Sequence, residues 1–260
     1  MRYDHWRSSI RRALCCESIS VSTPQEISSE IAESEDTFPL IQLQQVSRND
    51  RDTVLLNEID LSIYPGQRIA LTGPSGSGKT LLLRSLAMLD PIQAGQVLWQ
   101  GETVQPVDYP RYRSQVIYLH QRPALVEATV EENLQLPFTM QVHQDKAFDQ
   151  ARIVAMLELL GRDETFLAKQ QRELSGGESQ LIALLRVLQL DPAVLLLDEP
   201  TAALDQATSM HVEALIDNWY SQNSSQRSIV WVSHNEEQTE RVSNTFLSMN
   251  NGQLTGDQHG

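Results

Sequence analysis

The chain has 260 residues and a formal net charge of -14, from 20 Lys plus Arg against 34 Asp plus Glu. It is therefore repelled as a whole by phosphate backbones and anionic headgroups, which disfavours general nucleic-acid binding. The length suits one to two domains with a sizeable core. Apolar residues make up 40% of it, yet runs such as 181–185 and 193–197 stop at five residues, far short of the roughly 18 that a membrane helix needs. Cys15 and Cys16 are the 2 cysteines, too few for a disulfide framework or a thiolate zinc site, so a reducing, cytosolic setting is the default.

In chain order, residues 1–38 open with Arg2, Arg7, Arg11 and Arg12, then turn acidic and Ser-rich through Glu17, Glu26, Glu30, Glu33, Glu35 and Asp36. This composition predicts a poorly ordered extension without the apolar core of a secretory signal. Cys15-Cys16 beside arginines would suit palmitoylation, but inert tail thiols are the plainer reading. From Leu40 the pattern becomes regular. Ile41, Leu43 and Val46, then Ile59, Leu61 and Ile63, predict half-buried strands, and Tyr64-Pro65-Gly66 predicts a turn. A strand at 68–71 leads into Gly73-Pro74-Ser75-Gly76-Ser77-Gly78-Lys79-Thr80, and Leu81, Leu82, Leu83, Leu86 and Met88 then have helical spacing up to Asp90-Pro91. Helices are predicted over 151–160 and 179–190, and buried parallel strands over 194–197 and 229–232.

The segment 73–80 satisfies G-x-x-x-x-G-K-T. Its glycines let backbone N–H groups turn inward around phosphates, and the following helix adds the positive end of its dipole. Lys79 would reach the β- and γ-phosphates, and the Thr80 hydroxyl would take a position on Mg²⁺. The run 194–197 delivers Asp198 and Glu199 to a strand end, where ligands sit in open α/β sheets. Asp198 suits the metal, and Glu199 could orient or deprotonate the attacking water. Two acids at a strand end are also common solvated turn residues; the phosphate loop is what favours the functional role. His234 follows the strand at 229–232, where a lone histidine is more often a polar surface residue than a catalytic one, although its imidazole could contact a γ-phosphate and sense its loss.

Five separated segments resemble one family, the ATP-binding cassette (ABC) ATPases, and the chain is similar to the nucleotide-binding subunit of an ABC transporter over about residues 40–252. Leu174-Ser175-Gly176-Gly177-Glu178 resembles the family signature and lies between the phosphate loop and the acidic strand, as the family requires. Gln121 resembles the Q-loop glutamine, also a Mg²⁺ contact, Ala203-Leu204-Asp205 the D-loop, and His234 the switch histidine. The resemblance implies a P-loop α/β fold of two lobes, with a mostly parallel core sheet, an antiparallel β edge and a helical subdomain over about 121–190. Residues 39–254 would form the nucleotide-binding domain and 255–260 a short tail. It further implies ATP and Mg²⁺ as ligands, with Lys79, Gln121, Glu199 and His234 catalytic. Head-to-tail cassettes would pair as a homodimer, the signature of one closing on the γ-phosphate held by the other. A separate transmembrane permease would hold the dimer at the cytoplasmic face of a membrane.

Physically, a Ser175 hydroxyl and the N–H groups freed by two glycines, ahead of a helix beginning near Glu178, would make a second anion site. Two features depart from the family. Residues 46–51 lack the aromatic that usually stacks on adenine, leaving Arg48 or Arg51 to stack a guanidinium instead, and Leu181 follows Gln180 where arginine is usual. Segments 118–134, 195–199 and 231–234 most resemble Fet-type cassettes linked to iron or metal export. A non-transport cassette acting on DNA or ribosomes, or a module that senses ATP without turning it over, are the alternatives. The first commonly carries a coiled-coil insertion or two cassettes per chain, and neither is present here.

Overall fold

The computed structural model describes residues 38–51 and 53–256; the expectations for the N-terminal extension, for Cys15-Cys16 and for the last four residues of the tail lie outside them. Strands β1 (Ile41–Asp50) and β2 (Thr53–Ile63) pair antiparallel, with Ile41 opposite Ile63 and Leu43 opposite Leu61. The register shifts between Leu43 and Val46, where Gln45 takes a φ of 51° and lies opposite Asp60, and again between Val46 and Arg48, where Glu58 takes 48°. The first shift explains why the inward residues are three apart there and not two. Strand β3 (Arg68–Thr72) ends at the phosphate loop, and helix α1 (Lys79–Leu86) follows.

The helix stops before Met88, the last residue of its apolar spacing. Met88 adopts a φ of 52°, its N–H reaches the Ser85 carbonyl, and the Leu89 N–H reaches that of Arg84. That is a Schellman closure with methionine where glycine is usual, so only Asp90-Pro91, beyond the closure, marked the stop in the sequence.

Strands β4 (Ala94–Trp99) and β5 (Glu102–Thr103) join β1 and β2 in a four-stranded antiparallel sheet of order β2-β1-β4-β5. Helix α2 (Tyr109–Gln115) then leads to β6 (Val116–Leu119), and α3 (Val130–Gln135), α4 (Gln150–Leu159) and α5 (Gly176–Leu188) follow, separated by short 3₁₀ turns. Strand β7 (Val194–Asp198), helix α6 (Gln206–Ser221), strand β8 (Ser228–Val232), helix α7 (Glu236–Val242) and strands β9 (Thr245–Asn250) and β10 (Gln253–Thr255) complete the described chain. The second sheet has the order β10-β9-β3-β8-β7-β6. All its neighbours are parallel except β10, which pairs antiparallel with β9. The antiparallel strands expected as an edge thus form a sheet of their own, and β10 runs one residue beyond 254.

Two cores lie against opposite faces of the parallel sheet, and β7 shows how. Val194 and Leu196 point into a cluster with Ile41, Leu43, Leu82 and Leu86, whereas Leu195 and Leu197 point into one with Leu134, Leu157, Leu185 and Trp219. Alternation along a fully buried strand feeds both, which is why its sequence reads as an unbroken apolar run. The helical stretch between Gln121 and Leu190 therefore shares its core with the sheet and with α6. Leu181, at the position where arginine is usual, is buried in this second core.

Candidate functional site

Because β3, β8, β7 and β6 are adjacent and parallel, their carboxyl ends leave the sheet on one edge. In that order the edge presents the phosphate loop, His234, the Asp198-Glu199 pair, and the turn carrying Gln121. Four segments far apart in sequence converge there without any loop having to reach across the molecule.

The loop itself is shaped by three glycines at positive φ, Gly73 at 133°, Gly76 at 77° and Gly78 at 107°. A Cβ at Gly73 would stand 2.1 Å from the carbonyl oxygen of Met249 on β9, so the loop is seated against the sheet by the absence of a side chain. Helix α1 starts at Lys79 with no side-chain cap and no acidic residue in its first turn, leaving its first N–H groups and positive dipole end to an external anion. Ser77 Oγ is buried and has no hydrogen-bond partner. Orphaned donors, an uncapped helix start and a glycine-lined concavity fit a polyphosphate.

Lys79 is 7% exposed and its Nζ donates to the carbonyls of Gly73 (2.7 Å) and Pro74 (2.9 Å). Burial pushes its pKa down, opposed by the negative charges of Glu199 and Asp198. Thr80 Oγ1 donates to Asp198 Oδ2 at 2.8 Å. Among the described residues no group of three or more His, Cys, Asp or Glu could hold a metal alone. One hydroxyl and one carboxylate nevertheless suit Mg²⁺, which keeps several waters and takes phosphate oxygens as ligands.

Glu199 joins the other two segments. Gln121 Nε2 donates to its Oε2 at 2.8 Å, and His234 Nε2 lies 3.1 Å from its Oε1. Its own N–H donates to the Val232 carbonyl on β8 (3.0 Å), and its φ of 49° is left-handed, an uncommon state for a residue other than glycine. The chain bends sharply here, so Asp198 turns into the sheet edge at 5% exposure while Glu199 faces Gln121 and His234.

Tyr118 on β6, which sequence reasoning passed over, joins this group. Its hydroxyl donates to Asp198 Oδ2 at 2.9 Å, and burial, with Asp198 beside it, raises its pKa well above the usual phenol range. The apolar run 116–119 could have flagged a strand beside 194–197, but only the sheet pairing of Tyr118 with Leu196 aims the ring at Asp198.

The signature residues gather elsewhere. Ser175 caps α5: its Oγ accepts from the Glu178 N–H, and the Glu178 carboxylate accepts from the Ser175 N–H at 2.9 Å. The helix thus opens at Gly176, earlier than the expected 179, as the Ser175…Glu178 capping box could have indicated. Burial raises the Glu178 pKa but is outweighed by the Lys169 ammonium and the Ser175 N–H, leaving it below the usual range. Leu174 packs against the second core. A Cβ at Gly177 would meet Leu204 Cδ2 at 2.9 Å and the Ala203 carbonyl at 3.2 Å, so signature and D-loop are packed together, whereas a Cβ at Gly176 would meet nothing. Asp205 is the N-cap of α6, accepting from the Thr208 N–H. Among the described residues, no hydrogen bond links 174–178 to the phosphate loop. Of the two arginines offered to adenine, Arg48 is held 2.9 Å from Asp90, which engages its guanidinium.

Fold and site together define a P-loop nucleoside triphosphatase with its ligand edge at the carboxyl ends of a parallel sheet. The model of the ABC transporter family matches residues 56–202, and the chain belongs to that family. It is 37% identical over 204 residues to the probable iron export ATP-binding protein FetA of Escherichia coli, covering 78% of this chain and 88% of that one. It is 34% identical over 221 residues to the sulfate/thiosulfate import ATP-binding protein CysA of Nitrosomonas europaea, covering 82% of this chain and 59% of that longer one. The fold matches the dimeric post-hydrolysis structure of the ATP-binding cassette MJ0796 bound to ADP and Pi, with a TM-score of 0.73 and 23% identity over 85% of this chain and 99% of that one. The chain is an ABC transporter ATP-binding subunit, and its reaction class is ATP hydrolysis. No helix among the described residues is long and apolar enough to cross a membrane.

Proposed function

We propose that this cassette hydrolyses ATP between two head-to-tail copies of itself and so drives a separate membrane permease from its cytoplasmic face. The convergence of Gln121 and His234 on the Glu199 carboxylate, beside the Thr80–Asp198 pair, carries this reading. The phosphate loop from Gly73 to Thr80 cradles the β- and γ-phosphates through its N–H groups, and Lys79 leaves the loop carbonyls to neutralise the charge that develops on the transferred phosphoryl. Thr80 and Asp198, with Gln121 as a further contact, would hold Mg²⁺, which would supply charge neutralisation on the phosphate oxygens. Glu199 accepts the proton of the attacking water, with Gln121 and His234 fixing its two oxygens. His234, at the open side with its side chain 56% exposed, is placed to register loss of the γ-phosphate.

The signature supplies the second half of the site in trans. Ser175 spends a lone pair on its capping bond and keeps its proton to donate to a phosphate arriving from the other copy. ATP between the faces then binds the dimer together, and hydrolysis removes the charge that did so. The 37% identity to a probable iron export ATP-binding protein supports iron or another metal as the permease's cargo.

Glu199→Gln tests the scheme. It should bind ATP as the wild type does, stall as a dimer on gel filtration with ATP, and lose hydrolysis by about 10²–10⁴-fold; unchanged turnover would remove Glu199 from this role. Affinity purification from membranes should recover a multi-helix membrane protein, and recovery of ribosomes or DNA would favour a non-transport cassette.

A further inference from the structure

Asp198 Oδ2 receives two hydroxyl donors, Thr80 Oγ1 at 2.8 Å from α1 and Tyr118 OH at 2.9 Å from β6. A carboxylate oxygen has two in-plane lone pairs, so both sites on Oδ2 are taken and Oδ1 is the oxygen left for another ligand. The Tyr118 ring is packed against the first core and lies edge-on to the His120 ring, with centroids 5.9 Å apart. Its position is therefore set by the strand and its neighbours. The other charged groups that act on it are Arg84 and Asp90, which are themselves paired at 2.7 Å. Nothing in the phosphate chemistry requires a tyrosine on β6, and a phenylalanine ring would pack equally well; the hydroxyl is the unexplained part.

We infer that Tyr118 is a positioning residue for the metal: by occupying the second lone pair of Asp198 Oδ2, its hydroxyl locks the carboxylate plane and commits Oδ1 to the Mg²⁺ side of the site. The inference rests on the assignment of Thr80 and Asp198 to Mg²⁺. That ion tolerates little departure from octahedral geometry, so a carboxylate free to swing about its χ2 holds it less well even though every ligand is still present. Acting through Asp198, Tyr118 affects metal dependence and not the nucleotide affinity of the bare loop.

The test is Tyr118→Phe, which keeps the ring and deletes the hydroxyl. Binding of a fluorescent ATP analogue is titrated with Mg²⁺, and separately measured in EDTA, for wild type and variant. The half-saturating Mg²⁺ concentration should rise about three- to tenfold, the scale of one typical net hydrogen bond, while affinity in EDTA changes less than twofold and the melting temperature stays close to wild type. Superimposable Mg²⁺ curves would overturn the inference. So would an equal loss of affinity in EDTA, which would make Tyr118 a packing residue. A wild-type protein whose ATP binding ignores Mg²⁺ would instead overturn the metal assignment itself, and the role of Tyr118 with it.

Discussion

Asp90 accepts from Arg84 through both carboxylate oxygens at 2.7 Å and lies 2.9 Å from Arg48. The Arg84 hydrogen bonds, and then Arg48, outweigh burial and hold its pKa down at about 2. A carboxyl whose folded pKa lies below its unfolded value adds stability above the unfolded pKa and loses it as pH falls through the folded one. Asp90→Asn should therefore cost roughly 2 kcal/mol at neutral pH, and the difference from wild type should close between about pH 4 and pH 2. Urea titrations at several pH values would show this, and a gap independent of pH would contradict it. The same trio ties β1 to the end of α1, so its loss acts where the phosphate loop is braced.

At the scale of elements, the phosphate loop depends on β9 as much as on its own glycines. Gly73 at a φ of 133° has no room for a Cβ beside the Met249 carbonyl. Gly73→Ala would combine left-handed strain with a backbone clash, a loss of roughly 2–4 kcal/mol, or about 3 °C in Tm for each kcal/mol in a chain of this size. Nucleotide affinity should fall with it. A variant with wild-type melting and affinity would mean that the loop does not rest on β9 as the structure has it.

The proposed dimer makes a prediction about the whole molecule because Gly176 and Gly177 differ in surroundings. An added side chain meets nothing at Gly176 but meets Leu204 and Ala203 at Gly177. Gly176→Asp should therefore fold normally, and an acid in the first turn of α5 even favours the helix. It would also put a negative charge on the face offered to the opposite γ-phosphate. In a Glu199→Gln background, light scattering should then find monomers with ATP where Glu199→Gln alone gives dimers, while each chain still binds nucleotide. An ATP-dependent dimer in the double variant would place the interface elsewhere.

Local chemistry in the sequence determined a large part of this protein. The glycines and lysine of 73–80 specify an anion cradle wherever they fall between strand and helix, and the apolar runs at 194–197 and 229–232 specify strands buried on both faces. What escaped reading had no local mark or a weak one. Met88 ends a helix without glycine, Gln45 bulges a strand without one, and Asp205 proved to be the cap of a helix whose apolar stripe, Val212, Leu215, Ile216 and Trp219, could have been counted. Only the tertiary structure decided that Tyr118 meets Asp198, that Arg48 is engaged by Asp90, and that Gln121 and His234 share one carboxylate. Each of those contacts joins side chains on different elements, and strand order with register, fixed by the packing of both cores, sets which of them come within hydrogen-bonding distance.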